Sequence, residues 1–143
     1  KNLLFRDSLY LYIGISYQFI CIFTTYKEYH PSPVPMSNIK SEGATTVWLA
    51  TGKEVLKKGA ANPKAGLCFQ EKGNSVVLTG EVEIIEDEAT KQEMWQEWFS
   101  AHFSKGPTDP NYVLLKFKGH HATIWIDGHF DAEIFKKSIQ FLI

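Results

Sequence analysis

Cysteine is scarce in this 143-residue chain, and the two that occur, Cys21 and Cys68, stand far apart inside apolar runs. With no C-x-x-C spacing and no third cysteine, neither a disulfide framework nor a zinc site is expected, and two buried reduced thiols fit a cytoplasmic setting. An excess of either charge is also missing: the formal net charge is −1. That removes the basic imbalance of a general nucleic-acid binder. Long apolar runs are absent as well. The longest, Leu9 to Phe23, is interrupted by Ser16 and Gln18, falls short of a ~20-residue span, and has no small-residue cleavage site before Lys27. Neither export nor membrane insertion is expected.

The usual chemical signatures are missing too. There is no G-x-S-x-G, H-E-x-x-H, Walker or G-x-G-x-x-G pattern, so hydrolase, zincin, P-loop and Rossmann readings have no support. His120 and His121 are adjacent and face opposite ways in an extended chain, while His30, His102 and His129 stand alone, so no metal is expected. Glu81, Glu83, Glu86 and Asp87 read as the solvent side of a strand and a helix cap. No side chain stands out as a catalytic acid, base or nucleophile.

What is present is ordinary globular composition, 44% hydrophobic and 22% charged, enough for one domain over residues 1–143. Residues 3–13 have helical spacing, and Tyr17 to Thr25 is a β-prone run. Pro31, Pro33 and Pro35 follow at alternate positions. Their missing N–H groups point to the same side, so this segment pairs on one side only, at an edge or along a ligand. Thr45 to Ala50 predicts a strand and Glu54 to Ala61 a short helix stopped by Asn62-Pro63. Ala65–Gln70 and Ser75–Glu86 predict a hairpin around Gly73-Asn74, with Gly80 marking a bulge or a close backbone approach. Asp87 is the natural N-cap of an amphipathic helix running to about Phe103. An irregular loop follows at Lys105–Pro110. Two strands, Tyr112–Lys118 and His121–Ile126, are expected to turn at Gly119-His120, before a final helix from Asp131 to Ile143. Strands without regular helix alternation argue for a mainly antiparallel barrel or sheet with peripheral helices.

The stretch from Val47 to Phe69 concentrates the chemistry. An apolar strand ends in Thr51-Gly52, lysines 53, 57 and 58 follow, and β-prone sequence resumes after Asn62-Pro63. A hydroxyl, a glycine and clustered ammonium groups suit a phosphate; a solvated basic connection between two strands explains the same residues. Trp95 and Trp98 read first as core residues, with a stacking surface for an aromatic cofactor or a dimer anchor as the alternatives.

Pro33-Val34-Pro35-Met36-Ser37, the run Val47 to Gly52 with Lys57, Asn62 to Phe69, Ser75 to Glu83 and Gly106 to Phe117 together resemble the general stress protein branch of the pyridoxamine 5′-phosphate oxidase-like, FMN-binding split-barrel family. The resemblance covers roughly Gln18 to Gly128. It implies a six-stranded antiparallel split β-barrel that forms a homodimer, with FMN in grooves at the dimer interface. By the same resemblance, backbone groups of Val34 and Pro35 lie along the flavin, and Ala50 and Thr51 lie at the end of the next strand. The Thr51 hydroxyl and Lys57 would meet the phosphate, and Trp125 takes the late aromatic position near the cofactor.

Two departures weaken the phosphate end. Ser32 stands where the family has arginine in an Arg-Pro-x-x-Met pattern, and Val55 stands where serine is common. The implied function is FMN binding in a flavin-dependent oxidoreductase or stress-related redox protein. The alternatives are a non-catalytic binder or sensor of FMN or of a related flavin or deazaflavin, and a cofactor-free structural dimer of the same fold.

Overall fold

Alternating apolar residues build a set of antiparallel strands: β1 (Ile20–Lys27), β2 (His30–Glu42), β3 (Thr46–Gly52), β4 (Lys64–Glu71), β5 (Asn74–Ile85), β6 (Tyr112–Ile126) and β7 (His129–Ile134). The computed structural model describes residues 20–27, 30–42, 45–56, 63–71 and 73–134; the helix expected at residues 3–13 lies outside them. Neighbours run β3-β2-β1-β4-β5-β6-β7, and β6 pairs with β3 as well. Six strands therefore form a ring, with β7 added beside β6. This is the mainly β, split-barrel architecture expected of the sequence.

Side chains alternate between the two faces of each strand. The inward set, including Phe23, Leu49, Leu67, Phe69, Leu78 and Phe117, fills the barrel. A second cluster lies outside it, where Trp48, Tyr112 and Leu114 of the barrel meet Met94, Phe99 and Phe103. Cys21 is buried and Cys68 half-buried. Because Cys68 pairs with Ile22 in the register, it faces away from Cys21. Burial pushes the Cys21 thiol up to about 12.

The β4–β5 hairpin forms as expected, with Gly73 at φ 80° in its turn. At Gly80 the register with β6 shifts by one residue, and a Cβ there would lie 1.9 Å from the Lys118 carbonyl oxygen. Gly119, paired with Gly80 across the shift, also donates its N–H to the Thr45 carbonyl at 2.7 Å. The expected turn at Gly119-His120 is therefore corrected: β6 is one continuous strand, and the bulge absorbs the extra residue.

Two helical expectations also change. Asp87 caps α2 (Glu88–Met94) by accepting from the Thr90 amide at 2.9 Å and the Thr90 hydroxyl at 2.6 Å. The helix does not continue to Phe103. Trp95 and Gln96 are extended, and a separate 3-10 turn, Glu97–Ala101, follows. The break lets Met94 on one segment and Phe99 and Phe103 beyond it reach the same outer cluster. Within the expected loop, Gly106–Thr108 is a further 3-10 turn. The final helix is replaced, as far as Ile134, by strand β7; Asp127 (φ 51°) and Gly128 (φ 79°) form the turn that sends the chain back along β6. Such a pair of positive φ angles is what a two-residue hairpin turn requires. The short helix after β3 is described as α1 (Lys53–Leu56); the rest of that expected helix lies outside the described residues.

Candidate functional site: a cavity at the split of the barrel

The alternate prolines set the site up. β2 pairs with β1 through His30–Ser37 and with β3 only through Asn38–Glu42, with an irregularity between Asn38 and Lys40. On the other side of the split, Ala50, Thr51 and Gly52 pair with β6 alone. Two strand edges thus diverge with nothing from the sheet between them. Prolines suit such an edge because they have no N–H to leave unbonded.

A cavity of about 420 Å³ occupies the gap. Val34–Ser37 line it from β2, Ala50–Gly52 from β3, Trp98, Phe99, His102 and Phe103 from the segment after α2, and Asn111 from the approach to β6. The described lining contains no lysine, arginine, aspartate or glutamate. The Thr51 side chain is 7% exposed, and its hydroxyl has no hydrogen-bond partner among the described residues. A buried hydroxyl costs free energy unless something bonds to it, and Thr51 places one in the cavity lining.

Asn111 shapes the mouth. Its carbonyl accepts from the Lys53 amide at 2.7 Å and its Oδ1 from the Glu54 amide at 3.3 Å, which fixes the turn from β3 into α1. Asp109 in turn accepts from the Asn111 and Lys105 amides. The hydrogen bond from Asn111, then that from Lys105, hold its carboxyl below the usual carboxylate range despite burial. Lys53 belongs to the expected phosphate cluster, but its ammonium lies 2.8 Å from Glu86 Oε1. That hydrogen bond and the lysine's charge hold the Glu86 carboxyl below its ordinary value.

Trp98 has a fixed orientation. Its Nε1 donates to Gln96 Oε1 at 2.7 Å, and the rings of Phe99 and His102 stand nearly perpendicular to it at 4.5 Å and 6.3 Å.

Of the residues singled out from the sequence, Val34, Pro35, Ala50 and Thr51 come together in the lining. Ser32 is half-buried on β2, two positions before Val34, and is outside the lining. Lys57 lies outside the described residues. Trp125 is at the far end of β6, 48% exposed and opposite Phe130, so within one chain it does not join the cavity. Sequence reasoning missed His102 and Asn111. No local pattern marks either one, because each is brought to the cavity by the packing of separate segments. Among the described residues, no three or more histidine, cysteine, aspartate or glutamate side chains are placed to hold a metal ion, and no helix is long and apolar enough to cross a membrane.

Comparisons with known proteins agree with the fold. The family model described as pyridoxamine 5′-phosphate oxidase like matches residues 14–140. A Clostridium acetobutylicum protein related to general stress protein 26 of B. subtilis is 21% identical with a TM-score of 0.78, over 94% of this chain and 95% of its own. A general stress FMN/FAD binding protein from Xanthomonas citri is 19% identical with a TM-score of 0.70, over 85% and 88%. A pyridoxamine 5′-phosphate oxidase-related, FMN binding protein from Nostoc punctiforme is 14% identical with a TM-score of 0.63, over 94% and 93%. At these identities the structural likeness establishes the fold. No curated protein sequence matches the chain.

Proposed function

This chain belongs to the pyridoxamine 5′-phosphate oxidase like family, and from that premise we propose that it binds a flavin, FMN, in the cavity at the split of the barrel. The observation that carries the reading is the cavity itself. About 420 Å³ lies between two one-sided strand edges, with the buried Thr51 in its lining. That volume is in the range of small-molecule sites, ~300–1,000 Å³. Two of the structural neighbours are themselves named FMN/FAD-binding and FMN-binding.

Backbone groups of Val34 and Pro35 would hold the flavin along β2, Ala50 and Thr51 at the end of β3, and Lys57 would meet the phosphate. The same reading includes a homodimer, with Trp125 in the family's late aromatic position near the cofactor. Bound flavin supplies hydride or electron transfer; the chain contributes binding, orientation and exclusion of water. Of the described lining side chains, only His102 is of a type commonly used for proton transfer. A protein that holds flavin without turnover is the second reading.

Purified protein should carry the visible absorbance of a flavin, released on heating and identified by mass as FMN, and should sediment at twice the chain mass. A colourless protein that takes up neither FMN nor riboflavin overturns the proposal. Consumption of a nicotinamide donor by the loaded protein then separates an oxidoreductase from a binder.

A further inference from the structure

Exposure and packing divide Trp98 from its neighbour. Phe99 is buried, while Trp98 is 38% exposed and borders the cavity. An exposed indole is ordinarily free to change rotamer, but this one is tied to Gln96 and flanked by Phe99 and His102. Both flanking rings are close to perpendicular to it, at 84° and 89°, and no ring lies parallel to the indole among the described residues. The indole is thus held in place without a stacked partner.

The charge of the lining narrows what can lie against it. A phosphate taken into a cavity without a cation loses hydration with no replacement, whereas an uncharged ring loses little. The described lysine next to the cavity, Lys53, is engaged by Glu86. The described lining itself carries no lysine, arginine, aspartate or glutamate, a surface that suits an uncharged ring.

We propose that Trp98 is the specificity-determining wall of this site, stacking on the planar ring of the ligand inside the cavity. The inference rests on the flavin reading above and adds the residue that selects the ligand's ring. Offset stacking against a planar three-ring system uses the whole indole face. Gln96 acts as a positioning residue by holding the indole edge.

The test compares FMN, riboflavin and lumiflavin, the ring alone, with the natural protein and with Trp98→Ala, Trp98→Phe and Gln96→Ala. Trp98→Ala should weaken all three flavins by the same factor, about tenfold, in line with aromatic stacking on a planar base. Trp98→Phe should recover most of that loss, and Gln96→Ala should lose a few-fold with the indole still present. Flavin bound to Trp98→Ala should also fluoresce more strongly than flavin bound to the natural protein, since a stacked indole quenches it; a purely structural role would not produce that change. Unaltered binding to a folded Trp98→Ala protein, or a loss confined to FMN, overturns the assignment and leaves the flavin site standing. Failure of the natural protein to bind any of the three flavins removes the site and this inference together.

Discussion

Tyr112 completes the helix that contains Lys91. Its hydroxyl donates to the Lys91 carbonyl at 2.9 Å, an acceptor left open because the Trp95 amide turns to Gln92 instead. The Lys91 ammonium lies 5.2 Å from the centre of the Tyr112 ring and donates to the Asp109 carbonyl at 3.2 Å. Both side chains are buried. This contact fixes α2 to the start of β6, and the segment bearing Trp98 begins where α2 ends.

Tyr112→Phe should destabilise the fold by about 1–3 kcal/mol, the range for leaving a buried acceptor unbonded. Burial pushes the Tyr112 hydroxyl up to about 12 from 10.0. A raised value means that the unfolded chain ionises first, so the stabilisation is complete below pH 10 and is lost as pH rises toward 12. Urea denaturation at several alkaline pH values should show the advantage of the natural protein over Tyr112→Phe shrinking across that window. An advantage that stays constant through it counts against the buried hydrogen bond.

Gly80→Ala should be far more damaging than Gly73→Ala. The first places a methyl group 1.9 Å from a backbone oxygen, which cannot move without breaking the β5–β6 register; the second meets nothing within 4 Å and only has to tolerate φ 80°. Overpacking of this kind costs about 3 kcal/mol, against roughly 1–2 kcal/mol for a left-handed residue. The comparison is of unfolding midpoints at unchanged denaturant slope. Equal losses would mean that the bulge relaxes freely.

Native protein should resist thiol reagents at Cys21. The reactive species is the thiolate, and a thiol held near 12 in a buried position is almost entirely protonated at pH 8. Titration with an excess of reagent should label Cys21 only after denaturant is added. Rapid labelling of both cysteines in the folded state would contradict the inward placement of Cys21.

Lys57→Ala should weaken FMN by ~1.5–3 kcal/mol, the usual worth of a hydrogen bond to a charged group, and should barely change riboflavin, which has no phosphate. Paired titrations decide the matter. Equal losses for both flavins would show that Lys57 does not act on the phosphate.

The β4–β5 hairpin and the Asp87 cap are legible because each depends on residues adjacent in sequence, and Gly80 is legible because a glycine inside a strand pattern marks a bulge or a close backbone approach. The Asp127-Gly128 turn was equally local and was the overlooked signal for β7. In contrast, the break at Trp95-Gln96 has no breaker residue. Helical spacing of the tryptophans pointed to one long helix, but the outer face of the barrel is covered better by two short segments that lie against it separately. Gly119 read as a turn because its role, close approach to β5 and to Thr45, exists only once three strands are assembled.

By itself the sequence determined the antiparallel strand pattern and the one-sided proline edge of β2. A missing N–H and an alternating apolar face are properties of the chain that no neighbour has to supply. Only the tertiary structure decided that this edge diverges from the end of β3, that Lys53 is taken up by Glu86, and that Trp98, His102 and Asn111 face the gap with Val34 and Thr51. Those residues come from four separate segments, and their meeting depends on how strands pair and helices pack at long range. That depends on the total area buried and the bonds satisfied across the whole molecule, a sum that no single stretch of sequence contains.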